Sequence, residues 1–323
     1  MTTPYGVLLP DGCDADQFAR RAADLGYERL WLGELWGEDA FVRLTRAADA
    51  PIGLGTAVVN VFSRTPATLA QAAATVDEAA GDDQFVLGLG TSTATAIESL
   101  HGESFDRPVR RLHETAELAG RLLGDADAVD YDGETVGAAG APGLDVDVPV
   151  YAAALGPAAR RAVGRVADGW LPHNVPFDRL EPAFDTVAET ARERGRSPDD
   201  VAVVPWVPCA VADDEGVARD AVRDHLAYYV GSGEGYRNAV AESFPDAAEA
   251  IASAWERGDR DEASQRVTDE MVAAIGVAGS PEPAPDRLDA VLDRDVVDAA
   301  VLVLAGGAKP LLDSTVDSLA PDR

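Results

Sequence analysis

Lysine is nearly missing from this chain: of 27 basic residues, Lys309 is the one lysine and the rest are arginine. Against them stand 57 aspartates and glutamates, for a formal net charge of −30 over 323 residues. A surface this acidic offers no basic stripe to follow a phosphate backbone, which argues against a nucleic-acid partner. An anionic membrane surface would repel it for the same reason. Long apolar runs are missing as well, so no segment reads as a membrane span. Residues 1–12 lack the basic start and apolar stretch of a signal peptide. Cysteine is scarce, and Cys13 and Cys209 make neither a disulfide framework nor a metal cluster. The four histidines, His101, His113, His173 and His225, show no paired ligand spacing, so no protein-ligated metal is expected. The expectation is a soluble cytoplasmic protein. Carboxylates in excess, with arginine replacing lysine, suit a cytoplasm of very high salt, where charges are screened within a few ångströms.

What is present is a regular alternation. Apolar residues make up 46% of the chain, enough for a sizeable core. Short β-branched runs at 5–10, 29–35, 52–61, 85–91, 148–155, 169–173, 201–211 and 299–307 read as strands. Alanine-rich amphipathic stretches at 14–26, 65–81, 107–123, 157–167 and 178–194 read as helices. Strands apolar on both faces, alternating with helices, indicate a parallel sheet covered by helices. Eight such strands favour a (β/α)8 TIM barrel, although periodicity leaves an open doubly wound sheet as an alternative. Only helical patterning is expected over about residues 215–294, an insertion between strands seven and eight of a single domain spanning 1–323.

In such a fold the loops at the carboxyl ends of strands build the site. Those ends carry Pro10, Glu34, Trp36, Val59 to Val61, Gly90 to Thr93, Ala154 to Gly156, His173, Asn174 and Cys209. GLGTST (88–93) joins a strand to a helix; its glycines and the hydroxyls of Thr91, Ser92 and Thr93 suit an anion, but a tight packing turn reads as well. LGPAARRA (155–162) gives a second such cradle at Leu155 and Gly156, or an ordinary helix start. Glu34 is read either as a proton-transferring carboxylate or as a solvated strand end. His173 is read as an acid or donor, against a structural histidine. For Trp36 and Trp206 core packing outweighs stacking on a ligand, and Cys209 reads as a small core residue rather than a nucleophile. Arg64 either holds an anion or pins its loop.

The stretch GLGTAVVNVFSRTPATLAQAAATVDEAAGDDQFVLGLGTS (53–92) resembles the luciferase-like barrel superfamily. YAAALGPAARRAVGRVADGWLPH (151–173) and VTDEMVAAIGVAGSPE (267–282) extend the likeness over nearly the whole chain, and within the superfamily they are most similar to the F420-dependent methylenetetrahydromethanopterin reductases. The resemblance implies a bulge within Val58 to Val61, often with a non-prolyl cis peptide, under the cofactor's central ring, at Val58, Val59 and Asn60. It implies phosphate contacts from Gly90–Thr93 and from Ala154, Leu155 and Gly156. It also implies two carboxylates that this chain replaces with Leu8 or Leu9 and with Thr93, and a "DH" pair replaced by Glu34-Leu35. The expected activity is hydride transfer between coenzyme F420 and a small organic substrate, a folate- or pterin-bound one-carbon unit among them. Glu34 and His173 are then the candidate catalytic groups. An FMN-dependent monooxygenase and a non-catalytic flavin or F420 binder are the alternatives. A homodimer or higher homo-oligomer is the default assembly.

Overall fold

Helices begin where the sequence supplies caps. In the computed structural model, which describes residues 3–81 and 84–321, Asp14 caps the helix Ala15–Asp24 and Thr65 caps Pro66–Ala80. Each side-chain oxygen accepts a backbone N–H of the first turn, as unsatisfied helix starts require. The strands are β1 (Tyr5–Leu8), β2 (Arg29–Leu32), β3 (Gly53–Thr56), β4 (Val59–Asn60), β5 (Phe85–Gly90), β6 (Val129–Asp132) and β7 (Gly137–Ala141). They continue with β8 (Val150–Ala152), β9 (Gly169–Trp170), β10 (Ala202–Val203), β11 (Trp206–Val211), β12 (Val277–Gly279) and β13 (Ala300–Leu304).

One parallel sheet runs in the order β10-β9-β8-β5-β3-β2-β1-β13-β11-β12, with β4 paired to β5. The stretch 202–211 belongs to both flanks of this order. β10 pairs with β9, β11 pairs with β13, and His173 bridges Trp206 between them. The sheet is therefore curled, and its two faces bury different sets of residues. On the concave face Trp31, Ala57, Val86, Leu171, Val204, Trp206, Val301 and Val303 form one cluster, joined by Leu8, Val58, Tyr151 and Ala153. Their alternate neighbours, such as Val7, Leu30, Leu54, Leu87 and Val150, pack outward against the helices, the period-two division that a covered sheet imposes. Glycine makes room inside: a Cβ on Gly55 would stand 2.6 Å from the Trp31 ring, and one on Gly6 2.7 Å from its Nε1.

Four departures from the sequence reading have local causes. The expected strand 52–61 is split by a cis peptide between Ala57 and Val58, at the edge of the span Val58 to Val61 where the resemblance implies one, so β3 ends and β4 begins afresh. The expected strand 201–211 is interrupted at Val204-Pro205, where proline has no N–H for a ladder. The region 215–294 is not purely helical. After the helices Glu215–Ser232, Glu234–Ala241, Pro245–Glu256, Arg260–Gln265 and Asp269–Ile275 the chain returns to the sheet as β12, parallel to β11, before the helix Ala284–Leu292. Three residues are too few to show a period. The antiparallel hairpin β6–β7 was also unforeseen, its second strand being glycine and alanine. The inserted helices have their own core, built on Val222, Leu226, Val230, Ile251, Met271 and Ile275 against Ala210 and Ala278.

Candidate active site

The carboxyl ends of the strands meet in a mouth floored by members of the concave-face cluster, among them Leu8, Val58, Ala153 and Val303. Gly90 ends β5 against this floor, and a Cβ there would stand 2.6 Å from Val58 Cγ2. The bulge at Ala57-Val58 thus presses against a position that only glycine fills without a shift. Val58 faces the concave side, whereas Val59 is packed outward and fully buried. Asn60 is an anchor. Its Oδ1 accepts from the N–H groups of Phe62 and Ser63 at 3.0 and 2.8 Å, and its Nδ2 lies 3.2 Å from His101 Nε2. With Oδ1 committed to donors, the amide must donate to His101.

Glu34 follows β2 and closes over this bulge. Its backbone N–H donates to the Val58 carbonyl at 3.1 Å. Its carboxylate is bidentate with Arg64, at 2.8 and 3.0 Å, and also accepts the Ala40 N–H at 2.9 Å. Arg64 reaches Asp39 as well and lies 5.3 Å over the Phe41 ring. Both partners are largely withdrawn from solvent, with side chains 10% and 16% exposed. Of the two readings open for Arg64, loop pinning is the one its contacts carry. Glu34 is neither a solvated strand end nor a carboxylate with a free oxygen.

Two strand-to-helix turns face the mouth. After β5, Thr91 and Ser92 turn the chain, Ser92 at φ 58°, and Thr93 caps the short helix at Ala94 by accepting the Ala96 N–H at 3.3 Å. After β8, Ala154 is buried, its carbonyl accepting the Trp170 indole N–H at 2.7 Å. Gly156 then begins the helix Pro157–Val166 with no side-chain cap, and a Cβ built on it meets nothing within 4 Å. An uncapped helix start beside open space is suited to an anionic group such as a phosphate. Leu155 lies under the inserted helices, 3.5 Å from the place a Cβ on Gly235 would occupy.

His173 stands at the end of the concave face and is 5% exposed. Its ring centroid is 4.5 Å from that of Trp206, 4.3 Å from Tyr229 and 5.3 Å from Tyr236. Its Nε2 is 3.1 Å from Nε2 of His225. Burial holds His173 well below the ordinary imidazole range, aided by the neighbouring ring, and pushes His225 down to about 4. Burial also raises the Tyr229 phenol and pushes Tyr236 up to about 12. All four groups are thus neutral near pH 7. Beside them Asn174, at φ 56°, has both amide atoms buried without a hydrogen-bond partner, and Trp206 Nε1 is likewise unpartnered. Buried groups in that state are what a polar ligand would satisfy.

Glu34, Val58, Gly90 to Thr93, Leu155, Gly156 and His173 thus belong to the ends of neighbouring strands. Trp36 is a correction: it is 54% exposed on its loop, not packed in a core. Cys209 is the core residue expected, fully buried, its thiol raised by burial and donating to the Val207 carbonyl. His225, Tyr229 and Tyr236 were missed. They lie on inserted helices, and sequence order gives no sign that those helices fold back over the mouth. The aromatic spacing of 225, 228, 229 and 236 was the available signal.

A mostly parallel, curled α/β sheet with its polar groups gathered at the strand ends defines the class of scaffold. The model of the luciferase-like monooxygenase family matches residues 10–298, and the chain belongs to that family. It is 27% identical over 288 residues to 5,10-methylenetetrahydromethanopterin reductase of Archaeoglobus fulgidus, with 85% of each chain covered. To the F420-dependent glucose-6-phosphate dehydrogenase of Nocardia farcinica it is 36% identical over 175 residues, 50% of this chain and 51% of that one. Its fold matches the coenzyme F420 dependent tetrahydromethanopterin reductase of Methanopyrus kandleri at a TM-score of 0.81 and 24% identity, covering 100% and 98% of the two chains.

Proposed function

We propose that this chain is an F420-dependent oxidoreductase that moves a hydride to or from a small organic substrate at the mouth of an eight-stranded barrel. The strands counted into that barrel are β1, β2, β3, β5, β8, β9, the β10–β11 stretch and β13. The observation that carries the reading is the pairing of an uncapped, unobstructed helix start at Gly156 with the bulge at Ala57-Val58 across an apolar floor. That arrangement fits a flat ring carrying a phosphate tail: the bulge and Gly90 under the ring, the turns at Thr91–Thr93 and Leu155–Gly156 toward the tail. The names of the relatives support F420 over other ring cofactors. When bound, F420 supplies a carbon centre that carries hydride and reacts poorly with oxygen.

The substrate class we infer from the likeness to the methanopterin enzymes is a one-carbon unit borne on a pterin or folate. Two carboxylates that the resemblance implies are absent, Leu8 and Thr93 standing in their places. Glu34, with both oxygens held by Arg64, serves this reading best as the clamp that fixes the bulge. His173, buried at the mouth and without a carboxylate partner among the described residues, is the group we assign to proton exchange with the substrate. Fluorescence titration with F420 and with FMN in molar salt tests the proposal. Saturable F420 binding with turnover supports it. FMN binding with oxygen consumption would replace it with a monooxygenase, and binding without turnover across a panel of acceptors with a non-catalytic carrier.

A further inference from the structure

Two imidazoles face each other where the inserted helices cross the mouth. His173 ends the concave face beside Trp206, and His225 stands on the helix Glu215–Ser232. Their Nε2 atoms are 3.1 Å apart. At that distance one nitrogen must carry a hydrogen and the other a lone pair. The groups packed around the pair are Trp206 from β11, Tyr229 from the helix of His225, and Tyr236 from the helix Glu234–Ala241. Among the described residues no carboxylate is hydrogen-bonded or ion-paired to either ring, and burial rather than a charged neighbour holds both imidazoles neutral. An added positive charge would therefore be unpaired, and the pair rests neutral, one ring as the Nε2–H tautomer and the other as Nδ1–H.

We propose that His225 is a positioning and proton-passing residue for His173, and that the two rings deliver a proton to the substrate without either becoming charged. The proposal rests on the reading of the mouth as a hydride-transfer site. At rest His225 donates its Nε2–H to His173, which holds its own proton on Nδ1. No hydrogen bond occupies that Nδ1 among the described residues. As the substrate carbon gains a hydride, its heteroatom takes the proton from His173 Nδ1. The Nε2 proton of His225 crosses to His173 Nε2, and solvent returns a proton to Nδ1 of half-buried His225. The net transfer is one proton from water to the substrate, with both tautomers exchanged. A lone buried histidine would instead have to become an anion, or start as an unpaired cation, to do the same.

With only four histidines, ring-nitrogen NMR of the protein without cofactor reads the dyad directly. The expected wild-type result is one neutral Nδ1–H ring and one neutral Nε2–H ring, unchanged from pH 8 to pH 5. His225→Phe should scramble the His173 tautomer. His225→Gln, whose amide nitrogen stands near the place of the imidazole Nε2 and can donate to His173 Nε2, should restore the Nδ1–H form yet not pass a proton. Both variants should lose about tenfold or more in kcat while KM changes little. A His173 spectrum identical in wild type and both variants would overturn the proposal, as would an imidazolium signal from either ring at pH 7, or full kcat in His225→Gln. If no F420 turnover exists, the hydride-transfer reading fails while the NMR result still decides the dyad.

Discussion

A carboxylate with both oxygens engaged and a buried imidazole set against a second imidazole make opposite demands on solvent. Glu34 gains from its charge: Arg64 holds it bidentately and the Ala40 N–H adds a third bond. Changing Glu34→Gln leaves Asp39 as the acid partner of Arg64. The expected cost is about 2 kcal/mol, below that of breaking a fully buried pair because one acid partner remains. Urea unfolding in molar salt measures it, and an unchanged midpoint would mean that the clamp adds nothing. His225 stays neutral at a cost. Its pKa falls from 6.5 to about 4 on folding, so between those values the unfolded chain binds more protons than the folded one. Stability therefore falls as pH drops from 6.5 towards 4, by up to about 3 kcal/mol from this ring, and His173 acts in the same direction. Unfolding midpoints of wild type and His225→Phe across that range should converge on acidification. Parallel curves would refute the assignment.

Among the elements, the helix start at Gly156 is where the cofactor reading is most exposed to test. Its backbone is extended, with φ −80°, and nothing lies within 4 Å of a Cβ there. Gly156→Val should therefore fold normally while placing a side chain where a phosphate would approach. A tenfold or greater loss of F420 affinity, with a melting temperature within a few degrees of wild type, is expected. Unaltered affinity would move the phosphate elsewhere. The same turn illustrates what sequence can reveal. LGPAARRA announces a glycine-proline helix start, and β-branched runs announce strands, because these signals are local. The split of β3 from β4 depends on Gly33 and Gly90 admitting a bulge, where Cβ atoms would lie 2.9 Å from the Ala57 carbonyl oxygen and 2.6 Å from Val58. No window around Val58 contains that information, and only the family likeness anticipated it. Glu34 and Arg64 were both legible as strand-end charges, but their pairing spans thirty residues and gave no local sign. His225 needed knowledge of where the inserted helices dock, which is a tertiary fact.

For the molecule as a whole, the charge excess outweighs what ion pairing can offset. Even if each of the 27 basic residues were matched to one acid, 30 of the 57 carboxylates would remain without a cation. The ion pairs present are mostly solvent-exposed, such as Arg20–Asp16 and Arg107–Glu134, and exposed pairs contribute little individually. The unpaired acids repel one another across the surface. Screening extends only about 3 Å at 1 M salt but about 10 Å at 0.1 M, so the repulsion is short-ranged in concentrated salt and collective in dilute buffer. The mouth shares in this, because Tyr229 and Tyr236 are carried by inserted helices rich in surface carboxylates, with Glu234, Asp246, Glu249, Asp261 and Glu270 exposed. Dilution should loosen that helical layer, with its separate core, before the sheet. Raising potassium chloride from 0.1 to 2 M is thus expected to raise the melting temperature and to sharpen a broadened transition, whereas an uncharged osmolyte at equal osmolality should do much less. A melting curve independent of salt would show that the acid excess does not govern stability, and would remove the basis for expecting a high-salt environment.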